Sequence, residues 1–152
     1  MIFAVINLNL NVMRTLVNSL NKVLGLTLLV IGCYATDIQA QTTPENILNN
    51  AKVSIKAANS KELVQYFNDV VEIGFNGEKA SYSKTQAEFV MRDFFKKYPP
   101  SEFVYEHQGS SKEDVKYAIG NYTYNGGKYR VYILIKQFKG VYLIDTIDFS
   151  EE

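Results

Sequence analysis

The sequence predicts an α+β domain, with helices laid on one face of an antiparallel sheet. Three observations predict it. A capped amphipathic helix runs from Ser83 to Tyr98 and is stopped by Pro99-Pro100. From Glu102 to Phe149, aromatic and β-branched residues dominate in segments of strand length. Turn residues break that stretch at Gly109–Lys112, at Asn125-Gly126-Gly127 and at Lys139-Gly140. A layer of helices followed by a meander of strands packs as two layers around one core.

Taken in chain order, Thr43-Pro44 reads as an N-cap and first helical position. Ile47, Leu48, Ala51, Ile55 and Ala58 follow at spacings of three and four, one stripe of a helix. Asn59-Ser60 breaks the pattern, and Ser60 is suited to cap a second, shorter helix with Leu63, Val64 and Phe67 on its inner face. Val70 to Phe75 is short, β-branched and alternating, so it reads as a strand, and Asn76-Gly77 supplies its turn. Ser83-Lys-Thr-Gln86 is a capping box. Behind it Ala87, Val90, Met91, Phe94, Phe95 and Tyr98 form one apolar stripe. Neither ring nitrogen of Pro99-Pro100 can donate, so the helix ends there. The remaining strands are expected at Glu102–Gln108, Val115–Tyr124, Lys128–Phe138 and Val141–Phe149. In the third of these, Tyr129, Val131, Ile133 and Ile135 share one face. Tyr132 and Leu134 make the other face apolar too. The predicted order is α-α-β-α-β-β-β-β, without repeat or linker.

The length of 152 residues fits one domain. Basic and acidic residues balance at 16 each. That argues against nucleic acid as a partner, which calls for Lys and Arg clustered on one face. Eleven tyrosines and no tryptophan fit half-buried strands, where the ring packs and the hydroxyl reaches water.

Residues 13 to 40 carry the three parts of a secretory signal. Arg14 and Lys22 supply the positive region. Val23 to Ile31 is an apolar core shorter than the about 20 residues needed to span a bilayer. Ile38-Gln39-Ala40 places a small residue at the cut, leaving Gln41 first. Met1 to Val12 fits this pattern badly, which makes Met13 a candidate start codon. The expected division is therefore 1–40 signal peptide and 41–152 a single domain, exported to the periplasm or secreted. The sole cysteine, Cys33, ends the apolar core in Val30-Ile31-Gly32-Cys33, which resembles a bacterial lipobox. Lipidation there would anchor the protein to a membrane, and it stays as the alternative to cleavage after Ala40. Either way the domain has no cysteine for a disulfide or a nucleophile.

Candidate chemistry is sparse. His107 is the single histidine, and with no recognisable Ser or Cys partner it defines no triad. It reads first as a strand histidine bonded to a neighbour. Asp145 and Asp148, three apart in a strand, point to opposite faces by simple alternation, so no metal site is expected. Gly120, Gly126 and Gly127 lie between strands and form no phosphate cradle. Arg130 is placed to meet a cross-strand carboxylate such as Asp145, or an anionic ligand. No cofactor is expected.

The segment Tyr82-Ser-Lys-Thr-Gln-Ala-Glu88 carries a resemblance. So do Asp93-Phe-Phe-Lys96, Pro100, Phe103, His107-Gln-Gly109, Tyr117-Ala-Ile-Gly120, Gly127 and Arg130-Val-Tyr132. Together they resemble the exported bacterial family of domain of unknown function 4783, over about Glu45 to Phe149. That family is similar to the nuclear-transport-factor-two-like, or cystatin-like, superfamily. The resemblance implies a cone, a curved sheet wrapped around a helix with an open mouth. It carries no catalytic residue across. Isomerases of the superfamily use an Asp base and a Tyr donor. Glu72, Asp145, Tyr117 and Tyr132 supply those residue types here, but no isomerase motif is present. The expected function is non-catalytic binding of a small apolar or amphipathic ligand in the cone, with Phe94, His107, Tyr117, Arg130, Tyr132 and Ile133 as pocket candidates. The alternative is a structural or interaction module that forms a homodimer through the outer sheet face. A small-molecule isomerase or lyase is a third reading.

Overall fold

A computed structural model describes residues 43–112 and 115–152. The signal, the Met13 start and Cys33 lie outside the described residues. Helix α1 spans Pro44–Lys56. The Thr43 hydroxyl accepts from the Asn46 amide at 3.3 Å, which satisfies one of the unpaired donors of the first turn. Ile47, Leu48, Ala51 and Ile55 are buried as the stripe predicts, whereas Ala58 lies past the helix end with φ +53° and is exposed. Helix α2 covers Ser60–Leu63 and is capped by Asn59 rather than Ser60: the Asn59 Oδ1 accepts from Glu62 at 3.1 Å. A 3₁₀ turn, Val64–Tyr66, leads into β1, Phe67–Phe75.

One strand escaped the periodicity. β2, Glu78–Ser83, pairs antiparallel with β1 across the Asn76-Gly77 turn. Its side chains are exposed almost throughout, so it carries no apolar alternation to betray it. Helix α3, Lys84–Lys97, follows directly. Its capping box is complete: Ser83 Oγ accepts from the Gln86 amide, and Gln86 Oε1 accepts from the Ser83 amide at 3.0 Å. Ala87, Met91, Phe94 and Phe95 are buried, with Val90 and Tyr98 packed beside them.

The last four strands are β3 (Pro100–Lys112), β4 (Val115–Tyr124), β5 (Gly127–Phe138) and β6 (Val141–Glu151). Gly109–Lys112, expected as a turn, continues β3, with Gly109 opposite Tyr117 and Lys112 opposite Val115. The sheet order is β2-β1-β6-β5-β4-β3. The sheet is mixed, because β6 inserts between β5 and β1 and runs parallel to β1.

The described helices lie on one face. Tyr129, Val131, Ile133 and Ile135 of β5 point into it, with Ala118 and Tyr122 of β4, Phe103 of β3, and Ile144, Ile147 and Phe149 of β6. Two tyrosine hydroxyls tie the layers together. Tyr105 donates to the Leu48 carbonyl of α1 at 2.9 Å, and Tyr122 donates to the Tyr98 carbonyl at the end of α3.

Candidate functional site

The strand alternation divides the six expected pocket residues. Phe94, on α3, and Ile133, on β5, point into the helix-covered interior, and Ile133 is fully buried in the core. His107, Tyr117, Arg130 and Tyr132 stand on the open face of the sheet. The register shows why: Ile119 lies opposite both His107 and Tyr132, and Arg130 lies opposite Asn121. Tyr117, Arg130 and Tyr132 each sit one residue from a buried neighbour, so their side chains project away from the helices, and a bulge between Tyr105 and His107 puts His107 on the same face, opposite Ile119.

On that open face His107 Nε2 is 3.1 Å from the Tyr117 hydroxyl. The Tyr117 and Tyr132 rings stack at 6.2 Å. Ile119 and Leu134 lie half-buried beside them. Burial raises the Tyr132 phenol above its ordinary range. Arg130 pairs with Glu152 at 3.8 Å and not with Asp145, whose carboxylate meets Lys136 at 2.6 Å. A register shift places an extra residue, Asp145, between the pairs Ile135–Ile144 and Leu134–Thr146. That bulge cancels the alternation which would have set Asp145 opposite to Asp148. Asp148 is also an open-face residue, across from Tyr132. It lies over Gly74, where a Cβ would collide with its carboxylate, and it pairs with Lys79 at 3.5 Å. Lys79 in turn reaches Glu72 at 3.6 Å. Glu72, Tyr117 and Tyr132, weighed above as isomerase-type groups, are thus all outside the helix-covered interior. Among the described residues, no group of three or more His, Cys, Asp or Glu could hold a metal ion.

The helix-covered interior is filled by rings rather than hollow. Phe94 lies 4.5 Å from Phe149, 4.9 Å from Phe75, 5.4 Å from Tyr129 and 5.5 Å from Tyr122. The space that remains opens at one end of this cluster. It is a cleft of about 420 Å³ lined by Phe75, Asn76, Val90, Asp93, Phe94, Lys97, Tyr98 and Tyr129. Two chain reversals build it. The Asn76-Gly77 turn ends β1 where Phe75 pairs with Phe149 of β6, and the proline stop leaves Lys97 and Tyr98 at the tip of α3. Asn76 is locked in a left-handed conformation, φ +52°. Its amide donates to Phe149 O and its Oδ1 accepts from the Glu151 amide, both at 2.8 Å.

The electrostatics of the cleft centre on three tyrosines. Tyr98 lies 5.3 Å from Tyr129 and 5.1 Å from Tyr124, ring to ring. Lys97, and then the Tyr129 hydroxyl, hold the Tyr98 phenol below the ordinary tyrosine range, against burial and the Glu151 carboxylate, which act the other way. Burial, with Tyr98 as a hydrogen-bonding neighbour, pushes Tyr129 the other way. Of the cleft residues, sequence reasoning had singled out only Phe94 as a pocket candidate. The usable signal was the pair of turn markers, Asn76-Gly77 and Pro99-Pro100, but nothing in the linear order places them side by side.

The comparisons with known proteins agree with this architecture. Residues 48–150 match the domain of unknown function DUF4783. No curated protein matches the chain. A DUF4783 family protein from Bacteroides ovatus ATCC 8483 is similar at 28% identity and a TM-score of 0.66, over 74% of this chain and 97% of that one. A second, from Bacteroides uniformis ATCC 8492, shares 25% identity with a TM-score of 0.64, over 68% and 95% of the two chains. An NTF2-like protein of unknown function from Cytophaga hutchinsonii ATCC 33406 has 12% identity and a TM-score of 0.56, covering 76% and 95%. That last likeness is one of fold alone: helices packed on a curved six-stranded sheet.

Proposed function

The chain belongs to the DUF4783 family, and from that premise we propose that it is an exported, non-catalytic binding domain whose ligand occupies the cleft at the tip of α3. Export rests on the three-part signal ending at Ala40. The observation that carries the binding reading is an aromatic floor of Phe75, Phe94 and Tyr129 under an opening rimmed by polar groups. Ligand sites combine an apolar lining with a few polar groups in this way, at volumes of about 300–1,000 Å³. Native mass spectrometry of protein taken from its own host tests it. A bound small molecule, lost on Phe94→Ala, is the expected outcome. Bare protein, together with no melting-temperature response to a library of apolar and amphipathic compounds, would remove the reading.

The open face supports a second reading, a homodimer formed across it. Tyr117, Ile119, Tyr132 and Leu134 make an apolar strip there that no described helix covers. Such strips rimmed by charge suit partner surfaces. Sedimentation over a wide concentration range decides it: a monomer at the highest concentration defeats the dimer.

A further inference from the structure

Two Asn-Gly pairs occur in the chain, Asn76-Gly77 and Asn125-Gly126. Each forms the two-residue turn of a hairpin, the first between β1 and β2 and the second between β4 and β5. Both asparagines are exposed. Glycine has no Cβ, so its amide nitrogen is open to close approach. That nitrogen can attack the side-chain Cγ of the asparagine before it. A C–N bond forms and the carboxamide nitrogen leaves as ammonia. Water then opens the cyclic imide to aspartate or isoaspartate.

Ring closure needs Cβ and the glycine nitrogen on the same side of the Cα–C bond, so the asparagine has to rotate out of its turn. What resists that rotation differs between the two sites. Asn76 is tied to β6 twice: its amide donates to the Phe149 carbonyl and its Oδ1 accepts from the Glu151 amide, both at 2.8 Å. Those bonds hold it left-handed at φ +52°. Asn125 is not left-handed, and its side chain makes no hydrogen bond among the described residues. We propose that Asn125 is a site of spontaneous deamidation and that β6 protects Asn76. The product carries a negative charge at the β4–β5 tip. It adjoins Tyr124, whose ring lies 5.1 Å from Tyr98 and 5.5 Å from Tyr129. The isoaspartate form also adds a methylene to the main chain, which a two-residue turn cannot absorb without moving the strand ends. Modification is thus felt at the tyrosines that line the cleft.

The test compares the two sites in the parent protein, kept in warm, mildly alkaline buffer, with a urea-unfolded sample alongside. Tryptic peptides ending at Lys79 and Lys128 separate the sites, and tandem mass spectrometry places the mass gain on its residue. In urea the two should react at similar rates. In the folded protein Asn125 should react about five- to thirtyfold faster than Asn76, the range for breaking one or both bonds to β6 at about 1 kcal/mol each. Glu151→Pro removes the N–H that holds the Asn76 side chain and should raise the Asn76 rate about fivefold. Equal rates in the folded protein, a faster Asn76 or an unreactive Asn125 overturn the proposal. So does the same ratio in urea as in the folded state, because local sequence would then account for it.

Discussion

Phe94→Ala probes the centre of the molecule. The ring is 7% exposed and touches the rings of Phe75, Tyr98, Tyr122, Tyr129 and Phe149 at 4.5 to 5.5 Å. Deleting a buried Phe side chain costs about 3–5 kcal/mol. Ring pairs add about 0.5–1.5 kcal/mol beyond area burial, which pushes toward the upper part of that range. One feature pulls the other way. Phe94 floors an open cleft, so water can enter the space left behind and part of the cavity penalty is relieved. The balance is about 4 kcal/mol, a large share of a typical stability of about 5–15 kcal/mol. Urea unfolding followed by far-UV circular dichroism measures it, with Val53→Ala as control. Val53 is 67% exposed on α1, so its truncation should stay within about 0.5 kcal/mol. A Phe94→Ala loss below about 1.5 kcal/mol, at unchanged denaturant slope, would refute the claim that this ring organises the core.

Three further outcomes are expected. Gly120→Ala would bring a Cβ to 2.6 Å from the Val104 carbonyl and 3.1 Å from the Phe103 ring. Such overpacking costs about 1–3 kcal/mol, and an unchanged melting temperature would contradict it. Ser83→Ala removes one half of the α3 capping box and should cost about 1 kcal/mol, read as a lower urea midpoint. Burial raises the phenols of Tyr105 and Tyr122 above their ordinary value near 10. A group whose folded pKa is raised stabilises fully below its unfolded value and loses that contribution as pH rises past it. Stability should therefore fall above about pH 10, and Tyr105→Phe should fall less steeply than the parent between pH 9 and 12. Equal slopes would show that this phenol is free to ionise in the folded state.

The elements most legible in the sequence were those whose signals are local. The Ser83–Gln86 box, the stripe from Ala87 to Tyr98 and the proline stop define α3 within one helical length. Thr43-Pro44 and the Asn-Gly turn at 76–77 are equally local. The misplaced features depend on strand pairing and register, which no apolar pattern along the segment itself reports. β2 is an exposed strand with no apolar face, visible only through its pairing with β1. Gly109–Lys112 looks like a turn, yet remains strand because β4 lies alongside it. Asp145 was assigned by alternation, which a bulge overrides.

The sequence by itself determined the class, the helices, most strands and, through alternation, which residues of β5 face inward. Those properties follow from neighbour geometry: 3.6 residues per turn, two per pleat, and caps within one turn. Only the tertiary structure decided that β6 inserts parallel to β1 and that His107, Tyr117, Arg130 and Tyr132 share the face away from Phe94. It also decided that Asn76, Lys97, Tyr98 and Tyr129 meet at one cleft. These are matters of which strand lies beside which. The free energy of that choice comes from burying the whole aromatic core at once, and no short window of sequence contains it.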